Sequence, residues 1–397
     1  MNPVVANESE LYIERGGPAY RLMQRIGLIR GEDPSVQRRI IAFLAVTWVP
    51  LLILAWWEGL AVGPTPRESL LLDFAAFARF LVAVPLVFIA EVIIGPRVTA
   101  AGLHFVRAGL VTPEDYPAFE QAIRRLARWR ESLGAELVLV GMAVIGAWTF
   151  TAETVYGGAT ASWHTATIAT GNGIRLSLVG LWYHVVAVPI LQFFWYRWLW
   201  RFLIWLRFLY DVSRLNLALV PTHADGAGGL GFLGTTHTTF GVLAFAMSSV
   251  LSAAAAFLIV FEGGQIEAFK VHFITALVAC ELLVLGPLVM FCPALVRARQ
   301  TWIRQYSLLV LRYNRAFHEK WIEGKVAEGE PLLGSADIQS LADLGNSFEF
   351  IRGMKVVPFS VRVILQLAVV TVLPALPLIL LVVPIEKILD LMTQAVF

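Results

Sequence analysis

Residues 221–234 read Pro-Thr-His-Ala-Asp-Gly-Ala-Gly-Gly-Leu-Gly-Phe-Leu-Gly, with Gly226, Gly228 and Gly231 at G-x-G-x-x-G spacing. In a dinucleotide site such glycines let backbone N–H groups close on a pyrophosphate, and the motif works only between a strand and a helix. Here an aromatic, helix-compatible stretch precedes it, and no Gly-Lys-Ser/Thr is present, which sets nucleotide binding aside. Two readings remain open. Glycine permits left-handed turns, so Gly228 and Gly229 with His223 and Asp225 either form a structural turn or hold an ion or small ligand. Two candidate ligands are too few for a metal centre.

A second group of candidates lies inside apolar runs. Glu91, Glu136, His184 and Glu281 are ionisable residues in segments long enough to cross a bilayer, with Arg79 in another part of the second run. Charge in hydrocarbon is costly, so such residues earn a functional hypothesis. Glu91 and Glu136 lie near the ends of their runs, within reach of water. His184 and Glu281 lie deeper; facing each other they would make a proton relay, and apart they would be structural contacts. The last run holds Gln366, Thr371, Pro374 and Pro377, which fits a helix facing water or protein. Gln366 and Thr371 are the pore-lining candidates.

No catalytic set emerges. His-Glu-x-x-His, a nucleophile elbow and Cys-x-x-Cys are all missing, and His164 and His272 read as isolated. Cys280 and Cys292 share one apolar run, about 18 Å apart as helix, too far for a disulfide. The expectation is a protein that is no enzyme, with no catalytic residues, metal or cofactor.

The elements that position these residues follow from composition. The chain has 397 residues, 58% hydrophobic and 15% charged, with a net charge of +2. Soluble domains run near about 45–50% apolar and about 25% charged. With a mean hydropathy of +0.70, a soluble enzyme and a disordered chain are excluded, and the small net charge argues against nucleic acid. Seven runs reach the roughly 20 residues that a spanning helix needs: 39–60, 71–95, 135–156, 174–200, 238–262, 271–293 and 358–384. None alternates with period two, so the expected fold is all-α and polytopic rather than a β-barrel.

Lys and Arg set the orientation. There are six up to Arg39, six in 96–134, four in 197–237 and nine in 294–357, against Arg67, Arg175, Lys270 and Lys387 on the other side. That bias places the N-terminus in the cytoplasm and the C-terminus outside, in the plasma (inner) membrane. The first 36 residues show no apolar run of the signal-peptide kind. Among the outer acids, Glu58, Asp73 and Glu262 help to make that face anionic, which would concentrate cations.

The chain divides into a cytoplasmic segment 1–38, spans one to six over 39–293 with cytoplasmic loops 96–134 and 201–237, a cytoplasmic helical region 294–357, and a seventh span with a short outer tail over 358–397. Residues 113–131 read as a helix with acids first and arginines last. The fourth span stays helix-compatible to about Leu219. In 298–323, Trp302, Tyr306, Leu309, Tyr313, Phe317 and Trp321 recur at steps of three and four. That stripe predicts an amphipathic helix continuing from the sixth span, kinked near Pro293, that needs a partner. A shorter helix capped by Ser335 follows it.

The stretch His223–Gly234, with residues 333–349 (Leu-Gly-Ser-Ala-Asp-Ile-Gln-Ser-Leu-Ala-Asp-Leu-Gly-Asn-Ser-Phe-Glu), resembles an uncharacterised family of bacterial polytopic membrane proteins, more loosely from residue 180 to the C-terminus. In layout alone the chain is similar to the seven-transmembrane ion-channel superfamily that includes insect chemoreceptors. That likeness implies a cytoplasmic helical anchor and a seventh span lining a shared pore. The resulting expectation is a homo-oligomeric channel in the lipid bilayer for small ions, cations by the outer face. The alternatives are a proton-coupled transporter using His184 and Glu281, and a non-transporting sensor or scaffold.

Overall fold

Apolar runs of bilayer length fold as helices because only intra-segment hydrogen bonds satisfy the backbone in lipid. The computed structural model describes residues 9–30, 35–156, 162–167, 174–325 and 336–382. It is all-α apart from a short antiparallel ribbon, Thr165–Thr167 with Ile174–Leu176. In chain order the helices are α1 (Pro18–Arg25), α2 (Val36–Trp57), α3 (Phe74–Arg107), α4 (Tyr116–Arg130), α5 (Leu133–Tyr156), α6 (Leu178–Ser213), α7 (Gly231–Glu262), α8 (Ile266–Leu285), α9 (Cys292–Phe317), α10 (Ala336–Gly353) and α11 (Val361–Val372).

Six helical stretches among the described residues are long and apolar enough to cross a membrane. A seventh is counted when Pro113–Arg130 and Leu133–Thr149, bent by 47°, are taken together. These match the seven expected runs, so the chain is a multi-pass membrane protein. The C-terminal tail from residue 383 and Ser335 lie outside the described residues.

Two boundaries differ from expectation, and a third point, left open by the sequence, is answered. α6 ends at Ser213 instead of near Leu219, and the chain then pairs with the loop ahead of α4, where Ala218 N donates to Leu110 O at 2.8 Å. The break after the sixth span is the 3-10 stretch Gly286–Phe291, ahead of Pro293. Pro287 removes a donor and crowds the preceding turn, whereas Pro293 falls in the first turn of α9, where no N–H is needed. Third, the aromatic stripe of 298–323 finds its partner within the chain. α9 packs on α10, with Tyr313 Oη donating to Asp337 O at 3.0 Å and Trp321 Nε1 to Asp337 Oδ2 at 3.0 Å.

α3 and α6 each contain one π-turn, Ala78–Ala83 and Tyr183–Ala187. Each runs into the same four residues, Val-Ala-Val-Pro, at 82–85 and 186–189. Proline cannot donate to the i−4 carbonyl, and the helix relieves the mismatch with wider turns. The two alanines, Ala83 and Ala187, are buried.

Two apolar cores stack along these helices. One gathers Phe43, Trp48, Phe80, Phe88, Trp163 and Tyr183; the other gathers Ile94, Phe105, Phe119, Trp198, Trp205 and Phe291. Glu91, Arg197 and Arg201 lie on the α3 and α6 turns between them, so charge occupies the seam.

Candidate functional site

The C-terminal third of α3 and the N-terminal turns of α7 and α11 line an open groove of about 1060 Å³, on the side that the lysine and arginine bias leads one to expect in the cytoplasm. α3 contributes Ile93, Arg97, Ala101 and His104; α7 contributes Thr235, Thr238 and Thr239; α11 contributes Arg362, Gln366 and Val370. On α3 and α11 these residues recur at steps of three and four, so each of those two helices presents one face. Arg97 and Arg362 make no ion pair among the described residues, and no carboxylate lines the groove. The threonines donate their protons to their own helix, as Thr239 Oγ1 does to Thr236 O at 2.6 Å. His104 lies against Phe232 with ring centroids 4.4 Å apart and the rings tilted by 58°.

The arginines buried between the spans are engaged. Glu91 bridges two of them, with Arg39 Nη1 at 2.5 Å from Oε2 and Arg201 Nη1 at 2.7 Å from Oε1. All three side chains are buried. Arg197 Nε lies 3.5 Å from Glu136 Oε1. Residues 9–17 are wedged into this layer. Tyr12 O accepts from Arg130 at 2.7 Å, Glu14 O from Arg201 at 2.7 Å and Gly16 O from Arg197 at 3.3 Å, while Ala19 N donates to Glu136 at 2.6 Å. The fit needs small residues on α3. A Cβ on Gly95 would overlap the Glu14 carboxyl, and one on Gly102 would come within 3.0 Å of Leu11. Burial pushes the Glu14 carboxyl above its usual range, against the pull of its backbone hydrogen bond and of Arg201 and Arg15.

At the opposite end the acids are committed to structure. Glu58 accepts from Leu178 N and Val179 N, both at 2.9 Å, which caps α6. Asp73 caps the start of α3 through Ala76 N at 2.9 Å and also accepts from Trp163 Nε1 at 3.0 Å. Glu262 forms a bidentate pair with Arg67 at 2.5 and 2.6 Å. His164, expected to be isolated, lies against Tyr183 and His184, with ring centroids at 4.8 and 5.6 Å. Burial holds the His164 imidazole well below its ordinary range, with His184 and Arg79 adding to the effect.

The glycine-rich loop is a turn built around one carboxylate. Asp225 Oδ1 accepts from Ala227 N at 2.8 Å and Gly229 N at 3.2 Å, and Oδ2 accepts from Gly231 N at 2.8 Å. His223 Nδ1 lies 3.0 Å from Oδ1. Gly226, Gly228 and Gly229 have φ of 63°, 64° and 94°, the left-handed region that side chains avoid. Burial opposes the Asp225 anion, but the three N–H groups and His223 outweigh it and hold the carboxyl below its usual range. With both oxygens engaged, the loop fits the turn reading.

Of the remaining candidates, Gln366 lines the groove, whereas Thr371 is buried between helices, donating to Leu367 O at 2.8 Å and facing Cys280 Sγ at 3.6 Å. His184 and Glu281 are not brought together. His184 packs in the α3–α6 core, while Glu281 stands on α8, whose neighbours are α7 and α11, and its buried oxygens find no donor among the described residues. Arg97, Arg362, Arg39, Arg197 and Arg201 were not singled out from sequence. The signal was the i,i+4 pairs Arg362/Gln366 and Arg197/Arg201. Compared with known protein families, curated sequences and solved structures, the chain matches none.

Proposed function

We propose that the protein is a transport protein of the membrane, a channel for small ions assembled from several copies, with the groove between α3, α7 and α11 as its cytoplasmic entrance. The observation that carries this reading is the groove itself: a cleft between three spans with an apolar wall and a few polar side chains, Gln366 of the last span among them. Its side opens beside exposed apolar residues of α11, Leu365 and Val369, which a second copy would cover. Two unpaired arginines and no acid favour anions there. Of the outer acids behind the cation expectation, three, Glu58, Asp73 and Glu262, are occupied by caps and an ion pair. A proton-coupled carrier loses its motivating pair, because His184 and Glu281 stand apart.

The test is current recording from purified protein in planar bilayers under a KCl gradient. Conductance with a reversal potential near that of chloride, reduced by Gln366→Leu, supports the reading. Membranes no more conductive than protein-free ones, or cation selectivity, would overturn it.

A further inference from the structure

The chemistry of the groove names a ligand class more specific than a small anion. We propose that it binds a phosphate group, with Arg97 and Arg362 as the two charged clamps and the Gln366 amide as a third donor. The inference rests on reading this groove as the cytoplasmic entrance, but it concerns binding and stands without conduction.

Arg39, Arg67, Arg125, Arg197, Arg201 and Arg207 all have a carboxylate partner. Arg97 and Arg362 have none among the described residues, and both line a cleft large enough for a small molecule. A guanidinium is a planar fork of donors that matches oxyanions in bidentate fashion, better than a point charge does. Two such forks lining one groove suit a group with several equivalent oxygens. Chloride would use only part of that donor set, and a divalent cation would be repelled. The wall beside the clamps is apolar, with Ile93, Leu365 and Val369. The position also fits, since basic pockets between spans on the cytoplasmic side meet lipid headgroups. A phosphodiester headgroup with its chains along α11 and free inorganic phosphate therefore present the same chemistry to the clamps.

Full-length protein is placed in nanodiscs of phosphatidylcholine and titrated with inorganic phosphate by calorimetry. In parallel, nanodiscs doped with phosphatidylglycerol are opened and the retained lipid is counted by native mass spectrometry. Arg97→Gln and Arg362→Gln should each weaken binding about tenfold, the loss of one charge-assisted contact, and the double variant should abolish it. Arg304→Gln on α9 should change nothing. Circular dichroism verifies the fold of each variant, and Arg97→Lys, which keeps charge without the fork, should restore binding only in part. Heat of phosphate binding that disappears in the double variant identifies free phosphate; selective phosphatidylglycerol retention that disappears identifies the headgroup. No phosphate binding together with equal lipid retention by wild type and double variant overturns the proposal. Binding without conductance would leave this site standing and remove the channel reading alone.

Discussion

Arg79 and Tyr183 stand at matching positions on two helices, each six residues before the proline of a Val-Ala-Val-Pro sequence, and Arg79 Nη1 donates to Tyr183 Oη at 2.5 Å. Both lie in or beside the π-turn that the proline imposes. The repeated sequence thus sets two wide turns at one level, and the hydrogen bond joins them. Tyr183→Phe removes the acceptor while leaving the guanidinium in place. A loss of about 1–3 kcal/mol is expected, read as a lower unfolding temperature in detergent.

Glu91 compensates two buried arginines. Glu91→Gln leaves Arg39 and Arg201 facing each other without an anion, and a loss of about 3–5 kcal/mol is expected. Replacing all three by apolar residues (Arg39→Met, Glu91→Leu, Arg201→Met) should destabilise less than Glu91→Gln alone. Thermal melts of the two variants decide; a milder effect of the single change would contradict the compensation.

Residues 9–17 should leave their seat when α3 gains bulk. Gly95→Ala is expected to raise hydrogen exchange in this segment while the spans keep their protection, with Gly102→Ala having a smaller effect. The Glu14 carboxyl titrates above its ordinary value of 4.5 when seated. The seated form therefore holds the proton more tightly, and seating is strongest below about pH 4.5 and weakens as pH rises through the elevated value. Exchange corrected for its intrinsic pH dependence should rise over that window in wild type and stay level in Glu14→Gln.

Gln366 and Thr371 should separate in function. The first lines the groove and the second packs against Cys280, so Gln366→Leu should reduce conductance and Thr371→Val should leave it unchanged. Equal effects of both would contradict the geometry.

Asp225 holds its loop rather than a ligand. Asp225→Ala leaves three N–H groups without their acceptor, at a cost of about 1–3 kcal/mol, and adding divalent cations should not change the melting temperature of wild type. Because the folded carboxyl is more acidic than its ordinary 3.8, its contribution is complete above that value and disappears as pH falls through the lower folded one.

The spans were legible because bilayer thickness demands long apolar runs, and the lysine and arginine bias supplies an expected orientation. Depth along a helix can also be counted, which is why Glu91, His184 and Glu281 stood out. Azimuth cannot be counted. Whether His184 faces Glu281 depends on rotation and neighbours that no single helix encodes, so the sequence left the pair open. Arg39, Arg197 and Arg201 lay at span ends, where arginine ordinarily reaches water, so their burial around Glu91 had no local sign. The turn of residues 223–231 was half legible: glycines announced the left-handed backbone, but the role of Asp225 as acceptor needed the closed loop. The Val-Ala-Val-Pro repeat was in plain view, and its meaning appears only when α3 and α6 are side by side.

Leu11–Gly17 leaves the ribosome long before its seat exists. Glu14 and the Arg201 that holds its carbonyl are 187 residues apart, roughly 10–40 s of synthesis at about 5–20 residues per second. Gly95 on α3 comes first, then Arg130 and last the α6 arginines, so the segment can lock only after the fourth expected crossing has been inserted. An early part of the chain thereby becomes a late step of assembly, and a membrane-inserted chain lacking α6 would display this stretch to the quality-control proteases of the cell.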